Sequence, residues 1–151
     1  MPNKRLSNYV FRGTTINWPG NNASKKLPRT PTTSNPIKAL LFAMASSGHG
    51  HKTVIYIVNE NKLGSISFDK NVLAKTEEEK GYIITPLKFI KLAEGYITTE
   101  EAIEILHQLK LPIPMLTDKS LFDFSLSEIM RLSKNKTDEF YNLAKPLLKN
   151  T

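Results

Sequence analysis

Residues 30–43 read TPTTSNPIKALLFA, a stretch in which a cluster of hydroxyl side chains passes directly into a helical pattern. Asn35 is a typical helix N-cap residue, and Pro36 suits the first helical position because a missing N–H has no consequence there. The apolar residues that follow recur at helical spacing and predict a helix over residues 36–46. The preceding residues 17–36 are rich in Pro, Asn, Ser and Thr, which predicts a loop.

Outward from this stretch, short runs of β-branched and aromatic residues predict strands. The last two runs meet at Pro86, which predicts a hinge between them. The polar residues 70–81 predict a loop. The runs are residues 8–14, 53–58, 64–68, 82–85 and 88–92.

The pattern changes near residue 95 from short runs to helical spacing. Thr98 or Thr99 is expected to cap a helix, with Glu100 and Glu101 in the first turn, where they complement the helix dipole. Two more helices are predicted, over residues 118–134 and from residue 137 onward. The pattern leaves open whether these helices pack on the sheet or form a small bundle.

The composition limits the classes of site and compartment. The chain has 151 residues and no cysteine, which excludes disulfides, thiolate metal sites and thiol nucleophiles. No apolar run approaches the roughly 20 residues of a membrane span, and no apolar stretch follows the basic amino terminus. We therefore expect no membrane partner and no cleaved signal peptide, in a protein that is cytoplasmic or delivered into a target cell.

The charge favours anionic partners. The 21 Lys and Arg residues outnumber the 14 Asp and Glu residues, for a net charge of +7. The lysines are spread along the chain, so an acidic protein is favoured over a nucleic acid. His49 and His51 flank a glycine without a third apparent ligand, His107 falls in a helical pattern, and no metal is expected.

Three segments of the first 92 residues carry the chemistry. Arg12 ends a strand and offers phosphate oxygens a planar fork of donors, and Gly13 after it allows a close backbone approach. The hydroxyls of residues 32–34 can orient a carboxylate or a sugar, although helix capping alone would also account for them. Residues 77–79 are three glutamates before an apolar run, a pattern that is also typical of a solvated loop.

In this order, the segments resemble the ADP-ribosyltransferase family, in the branch with an Arg, Ser-Thr-Ser and Glu signature. The order and the neighbouring residues carry the resemblance, which covers about residues 9–92. The matching positions are Arg12-Gly13, Thr32-Thr33-Ser34, Ala39, Phe42-Ala43, residues 54–58, Glu77-x-Glu79 and residues 83–89.

The resemblance implies an α+β fold with a split β-core of two small sheets, flanking helices and NAD as co-substrate in a cleft between the sheets. This core would span residues 1–95, with a helical carboxy-terminal extension over residues 96–151. Arg12, Gly13 and Thr14 would contact NAD. Phe42 would belong to the hydrophobic core or form a wall of the NAD pocket.

The resemblance also implies a chemical mechanism. Thr32, Thr33 or Ser34 would brace the ribose and the catalytic carboxylate. Glu79 would stabilise the oxocarbenium-like transition state as nicotinamide leaves. Glu77 would orient a macromolecular target, which implies an arginine acceptor and suits a bacterial toxin or effector.

Alternatives remain at this stage. Glu78 could replace Glu79 as the catalytic residue. The domain could be an inactive binding module that uses its basic surface, or an NAD glycohydrolase in which water is the acceptor. The helical carboxy-terminal part could instead be a partner-docking unit for which the first half is only a scaffold.

Overall fold

The fold is α+β, as the sequence predicts, in a computed structural model that describes residues 9–16, 30–45, 52–64, 66, 68–70, 79–111 and 136–150. The six strands are β1 (Tyr9–Thr15), β2 (Thr30–Thr33), β3 (Thr53–Asn59), β4 (Phe68–Lys70), β5 (Glu79–Tyr82) and β6 (Gly95–Thr98). The α-helices are α1 (Pro36–Ala45), α2 (Pro86–Leu92), α3 (Thr99–Gln108) and α4 (Thr137–Ala144), with 3₁₀ turns at Glu60–Leu63 and Lys145–Leu147.

The strands form one antiparallel sheet in the order β4-β5-β2-β1-β3-β6. Strand β1 pairs with β3 along its whole length, from Tyr9 opposite Asn59 to the residue pair at its other end. In contrast, β1 and β2 are paired only between Phe11 and Thr33. The sheet thus consists of two three-stranded groups joined at one residue pair: the β1 group (β1, β3, β6) and the β2 group (β2, β4, β5).

The two faces of the β1 group bury different hydrophobic clusters, because successive strand residues point to opposite sides. One face packs against α1, α3 and α4, and its cluster includes Phe11, Ile57 and Phe140. The other face, which bears Val10, packs against side chains of β5 and α2, among them Tyr82 and Phe89. The β2 group therefore shares the second core with the β1 group.

Helix α1 lies directly on β1 because Gly13 has no side chain. A Cβ atom at this position would be 1.9 Å from the carbonyl oxygen of Ala39 and 2.7 Å from the backbone nitrogen of Ala43. Ala39 and Ala43 also have small side chains, so the side of α1 that faces β1 can approach the strand closely. The close backbone approach that the sequence suggests for Gly13 is thus the approach of a helix.

The elements after residue 95 join the same body. Strand β6 pairs with β3 inside the sheet, and helices α3 and α4 share the first core with α1. The sequence leaves open whether these helices pack on the sheet or form a bundle. In the structure, α3 and α4 pack on the sheet. A functional division at residue 95 stays a prediction, and the expected helix over residues 118–134 lies outside the described residues.

Several predicted elements are confirmed, with bounds that differ by a residue or two: β1, α1, β3 and α3. Helix α4 begins at Thr137 as predicted but ends at Ala144 rather than at the end of the sequence. Helix α3 begins with a capping box, since Thr98 Oγ1 accepts from the backbone N–H of Glu101 at 3.2 Å and the Glu101 carboxylate accepts from the Thr98 N–H at 2.9 Å. Of the two candidates for this cap, Thr98 is the residue that serves. No helix among the described residues is long and apolar enough to cross a membrane.

Other predictions are wrong, for identifiable reasons. Residues 30–33 form β2 although they lie in an expected loop, because pairing with β1 and β5 overrides their turn-like composition. The expected strand at residues 88–92 is instead helix α2, which Thr85 caps by accepting from the N–H of Lys88 at 3.2 Å, with Pro86 in the first turn. For the expected strand at residues 64–68, Gly64 follows a 3₁₀ turn and Phe68 begins β4, while residues 65 and 67 lie outside the described residues.

Candidate functional site

The three segments that carry the candidate chemistry lie on three neighbouring strands. Strand β2 is between β1 and β5, and Thr33 pairs with Phe11 on one side and with Glu79 on the other. Arg12 follows Phe11 directly. The fold therefore brings Phe11, Thr33 and the backbone of Glu79 into one short row across the sheet, with Arg12 one residue further along β1 and on the opposite face, although these residues are far apart in the sequence.

The residue pairing between two adjacent strands stops at this row. Beyond the Phe11–Thr33 pair, β1 continues to Thr15 and β2 extends back to Thr30. Over this stretch, no further residue pair joins the two described strands. We call this region the β1–β2 opening. Because side chains alternate along a strand, Arg12 belongs to the same face of β1 as Val10, the face of the second core.

The residues along the β1–β2 opening are polar and well covered. Thr14 is 5% exposed, Thr30 is 0% exposed and Thr32 is 3% exposed. The hydroxyl of Thr30 donates to the carbonyl oxygen of Ile84 at 3.2 Å, which connects the first residue of β2 to the chain just after β5. Buried threonines at this density are unusual in a sheet that is otherwise apolar on both faces.

Arg12 is the cation of the site. Burial lowers the pKa of its guanidinium to about 10, which still leaves it charged at neutral pH. Its register partner on β3 is Tyr56, whose own partner on β6 is Tyr96, with ring centroids 5.7 Å apart. Burial, together with the nearby Tyr96, raises the pKa of Tyr56, so the tyrosine beside Arg12 keeps its proton at neutral pH.

The hydroxyl cluster has a structural role that the sequence anticipates as an alternative. Thr33 is completely buried, and its Oγ1 accepts a hydrogen bond from the backbone N–H of Asn35 at 3.1 Å. The carbonyl oxygen of Ser34 accepts from the hydroxyl of Thr137 at 2.7 Å, which ties α4 to the start of α1. A hydroxyl can donate and accept at once, so this bond leaves the Thr33 proton for another acceptor.

Strand β5 begins at Glu79, and the next two residues already belong to it. Lys80 pairs with Thr32, and Gly81 pairs with Pro31. The two residues that separate the glutamates from the apolar run in the sequence are therefore strand residues, and Glu79 is a strand position opposite Thr33. Glu77 and Glu78 lie outside the described residues.

A buried acidic residue near the site was not anticipated. Glu60, 9% exposed, follows β3, and its carboxylate accepts a hydrogen bond of 2.6 Å from the hydroxyl of Tyr82 on β5. This bond joins the β1 group to the β2 group on the side of the second core. The sequence signal for it is slight: an acidic residue directly after a buried strand, next to Asn59, whose side chain caps the following turn.

Two further candidate residues have different positions from those expected. Phe42 on α1 is 40% exposed, so its assignment to the hydrophobic core is wrong. The role of Gly13 is accounted for by the packing of α1 on β1. His107 is an exposed residue of α3, and no group of three metal-ligating side chains occurs in the described part of the chain.

Comparison with protein-family models, with curated proteins and with solved structures finds no significant match for this chain. The candidate site is thus defined by its own geometry: the partly exposed cation Arg12, four threonines and one strand-borne glutamate beside an interruption in the pairing of two adjacent strands.

Proposed function

We propose that this protein is an NAD-dependent mono-ADP-ribosyltransferase that modifies a macromolecular target, with arginine as the acceptor and nicotinamide as the product. The observation that carries the proposal is the convergence of the three candidate segments on β1, β2 and β5 beside the β1–β2 opening. The sequence order of the segments did not require them to be neighbours.

The split β-core is a further part of the proposal. The six strands form one sheet, and its β1 group and β2 group meet at one residue pair, which is compatible with two small sheets beside a cleft. The buried polar side chains lie along the unpaired part of β1 and β2, where a dinucleotide would find donors for its phosphates and hydroxyl partners for its ribose.

The chemistry divides among the site residues. Arg12 supplies a buried positive charge for the phosphates. Thr32 and Thr33 supply hydroxyls, and Glu79 supplies the carboxylate that stabilises positive charge on the ribose as its bond to nicotinamide breaks. An arginine nitrogen of the target then forms the new bond to the anomeric carbon and loses a proton.

The net charge of +7 favours an acidic protein target, held by long-range attraction that salt would weaken. An enzyme of this kind would act in the cytoplasm, where NAD is present, either natively or as a delivered effector or toxin. We propose no membrane partner.

One observation favours a second candidate, a catalytically inactive binding module of the same fold. Arg12 and Phe11 alternate, so Arg12 belongs to the face opposite the Phe11–Thr33–Glu79 row. The residue that pairs with Thr32, on the Arg12 side of that row, is Lys80 rather than a glutamate. In this alternative the basic surface binds a partner, and no nicotinamide is released.

The test is NAD consumption with labelled NAD and a whole-cell lysate, comparing wild type with Glu79→Gln and Arg12→Ala. Glu104→Gln serves as the matched control, because Glu104 is exposed on α3, away from β5. The transferase predicts a discrete labelled protein with wild type and the control, and a loss of label of at least 100-fold with the other two variants.

The other outcomes separate the alternatives. Nicotinamide release without a labelled protein indicates an NAD glycohydrolase. An absence of both NAD binding and cleavage by folded wild-type protein supports the binding module and contradicts the proposed function. Full activity of Glu79→Gln would transfer the catalytic role to Glu77 or Glu78.

A further inference from the structure

Helix α2 exposes an apolar side chain beside two lysines. Leu87 is 60% exposed, which is more than any other large hydrophobic side chain that the structure describes. Lys88 and Lys91 are exposed as well, whereas Phe89 is completely buried in the second core. Because residues three and four apart are neighbours on a helix surface, Leu87, Lys88 and Lys91 form one patch. We call it the α2 patch.

The two lysines of the α2 patch lack a counter-charge among the described residues. Neither ammonium forms an ion pair with any residue in the part of the chain that the structure describes. Glu94 is only three residues beyond Lys91, but its carboxylate accepts a hydrogen bond from the hydroxyl of Tyr141 on α4. The positive charge of the patch is therefore not neutralised by any described residue.

The charges of the helices differ between the two faces of the sheet. The charged residues within α2, on the side of the second core, are both lysines. Those within α3 and α4, on the side of the first core, are all acidic: Glu100, Glu101, Glu104, Asp138 and Glu139. An acidic partner would therefore be attracted to α2 and repelled by α3 and α4.

The position of α2 connects the patch with the candidate site. Phe89 packs α2 against the face of β1 that bears Val10. Arg12 belongs to the same face, because side chains alternate along a strand. A protein bound to the α2 patch would therefore lie on the same side of the sheet as Arg12.

We propose that the α2 patch is the docking surface for an acidic segment of the macromolecular target. Leu87 contacts an apolar side chain of that segment, and Lys88 and Lys91 lie opposite its carboxylates. The inference rests on the proposed function, which supplies the target. A protein suits the patch better than an anionic membrane, because α2 has seven residues and one strongly exposed leucine, whereas a membrane-bound helix buries a broad apolar face.

The binding experiment uses a short fluorescent peptide of glutamate and leucine residues and measures its Kd by anisotropy at physiological salt. The Kd is expected to rise about tenfold in the double variant Lys88→Glu/Lys91→Glu and about threefold in Leu87→Ser. The matched control is Lys110→Glu/Lys145→Glu, which changes the net charge equally at exposed positions just beyond α3 and α4. The control is expected to stay within about twofold of wild type, because it leaves the patch intact.

A second peptide, in which lysine replaces glutamate, tests whether the effect is one of charge. It is expected to bind Lys88→Glu/Lys91→Glu about threefold more tightly than wild type, since the patch is then acidic. Unfolding of α2 in the variant would weaken the binding of both peptides. This reversal therefore distinguishes docking from a purely structural role of the two lysines.

The transferase assay relates the patch to the target. With NAD and a whole-cell lysate, label on the target protein is expected to fall at least about tenfold in Lys88→Glu/Lys91→Glu. Labelling of arginine methyl ester, a small acceptor that reaches the site without docking, is expected to stay unchanged. The control variant should label both acceptors as wild type does.

The outcomes separate this inference from the proposed function. Equal effects of the patch variant and the control on peptide binding overturn the inference, because the whole basic surface would then attract the peptide. Unchanged labelling of the target in the patch variant also overturns it. Binding of phosphatidylserine vesicles through Leu87, without binding of the acidic peptide, assigns the patch to a membrane and overturns it as well. If wild type cleaves no NAD, the proposed function fails, and the peptide measurements alone decide the inference.

Discussion

Strand β1 has two edges, and they differ in kind. Along one edge it is paired with β3 from Tyr9 to Thr15, and along the other it is paired with β2 only at Phe11. The strand next to the paired edge, β3, contributes apolar residues to both cores, whereas Arg12 and several buried threonines lie along the stretch where β1 and β2 are not paired. One edge of the strand thus builds the fold, and the other is free to build a site.

The comparison also explains why a buried cation is tolerated in a small protein. Desolvation of the Arg12 guanidinium is costly. The fully paired edge and the helix packed on β1 together supply the stability that compensates for it. Changes to the packed side of β1 should therefore affect stability, whereas changes along the β1–β2 opening should affect ligand binding.

The largest expected effect is that of Gly13→Ala. The added Cβ would collide with the backbone of α1 at Ala39 and Ala43, and backbone atoms cannot move aside as side chains do. We expect the free energy of unfolding to fall by about 3 kcal/mol or more, measured by urea denaturation. The matched control is Gly64→Ala, where the nearest atom to the added Cβ is 3.3 Å away and the backbone is already right-handed helical.

A change below about 1 kcal/mol in Gly13→Ala would contradict the view that the packed side of β1 holds the fold. The control is expected to change stability by less than about 1 kcal/mol, because an alanine is acceptable in that backbone conformation.

The next effect concerns the bond between the β1 and β2 groups. Tyr82→Phe removes the hydrogen bond that the Tyr82 hydroxyl donates to the buried Glu60 carboxylate across this junction. We expect a loss of about 1–3 kcal/mol in the free energy of unfolding. Tyr96→Phe on β6 is the matched control and should lie within about 0.5 kcal/mol of wild type.

If Tyr82→Phe and Tyr96→Phe have the same stability, the two groups of strands are held together by apolar packing alone. The hydrogen bond between Tyr82 and Glu60 would then have no measurable part in positioning β5.

A third prediction compares the two edges directly. Thr32→Val at the unpaired edge and Thr53→Val at the far end of the paired edge each replace a threonine hydroxyl with a methyl group. Each should cost about 1 kcal/mol of stability, the latter because Thr53 Oγ1 lies 2.5 Å from Thr99 Oγ1. Only Thr32→Val is expected to weaken NAD binding, measured by calorimetry.

Equal NAD affinities in these two variants would remove the distinction between the edges. A loss of NAD binding in Thr53→Val would point to a site on the opposite edge of β1.

The smallest effect is at the outer edge of the β1 group, where the chain end pairs with β6. Lys149 exchanges backbone hydrogen bonds with Tyr96, and its ammonium contacts Glu101 at 2.5 Å. Burial alone would raise the pKa of Glu101, but the hydrogen bonds from Lys149 and from the Thr98 N–H outweigh it and lower the pKa. The carboxylate therefore stabilises the fold at neutral pH, and this contribution is lost as the pH falls below about 4.3.

Lys149→Met should reduce the free energy of unfolding by about 0.5 kcal/mol at pH 7, a small value because the pair is partly exposed to solvent. The difference from wild type should decrease in thermal unfolding as the pH is lowered below about 4.3. A difference that stays the same at acidic pH would assign the effect to packing of the lysine stem rather than to its charge.

Local chemistry determined much of this structure. The N-cap at Asn35 with Pro36, the buried strand of β3 and the capping box of Thr98 and Glu101 could be predicted because each depends on neighbours a few residues away. The N-cap residue Thr85 and the following Pro86 also indicate the start of a helix, which is α2. The short apolar run around Phe89 fits a strand equally well at that length, and the helix was therefore not predicted.

Other features depend on pairing between distant residues. The sequence by itself determined which residue types could form a site, namely an arginine before a glycine, a hydroxyl cluster and a run of glutamates. Only the tertiary structure decided that β2 forms within a turn-rich segment, that Thr33 lies between Phe11 and Glu79, and that the pairing of β1 with β2 stops beyond Phe11. The reason is physical: a cap depends on local hydrogen bonds, whereas strand register and the burial of Arg12 depend on partners that the chain reaches only after it has folded.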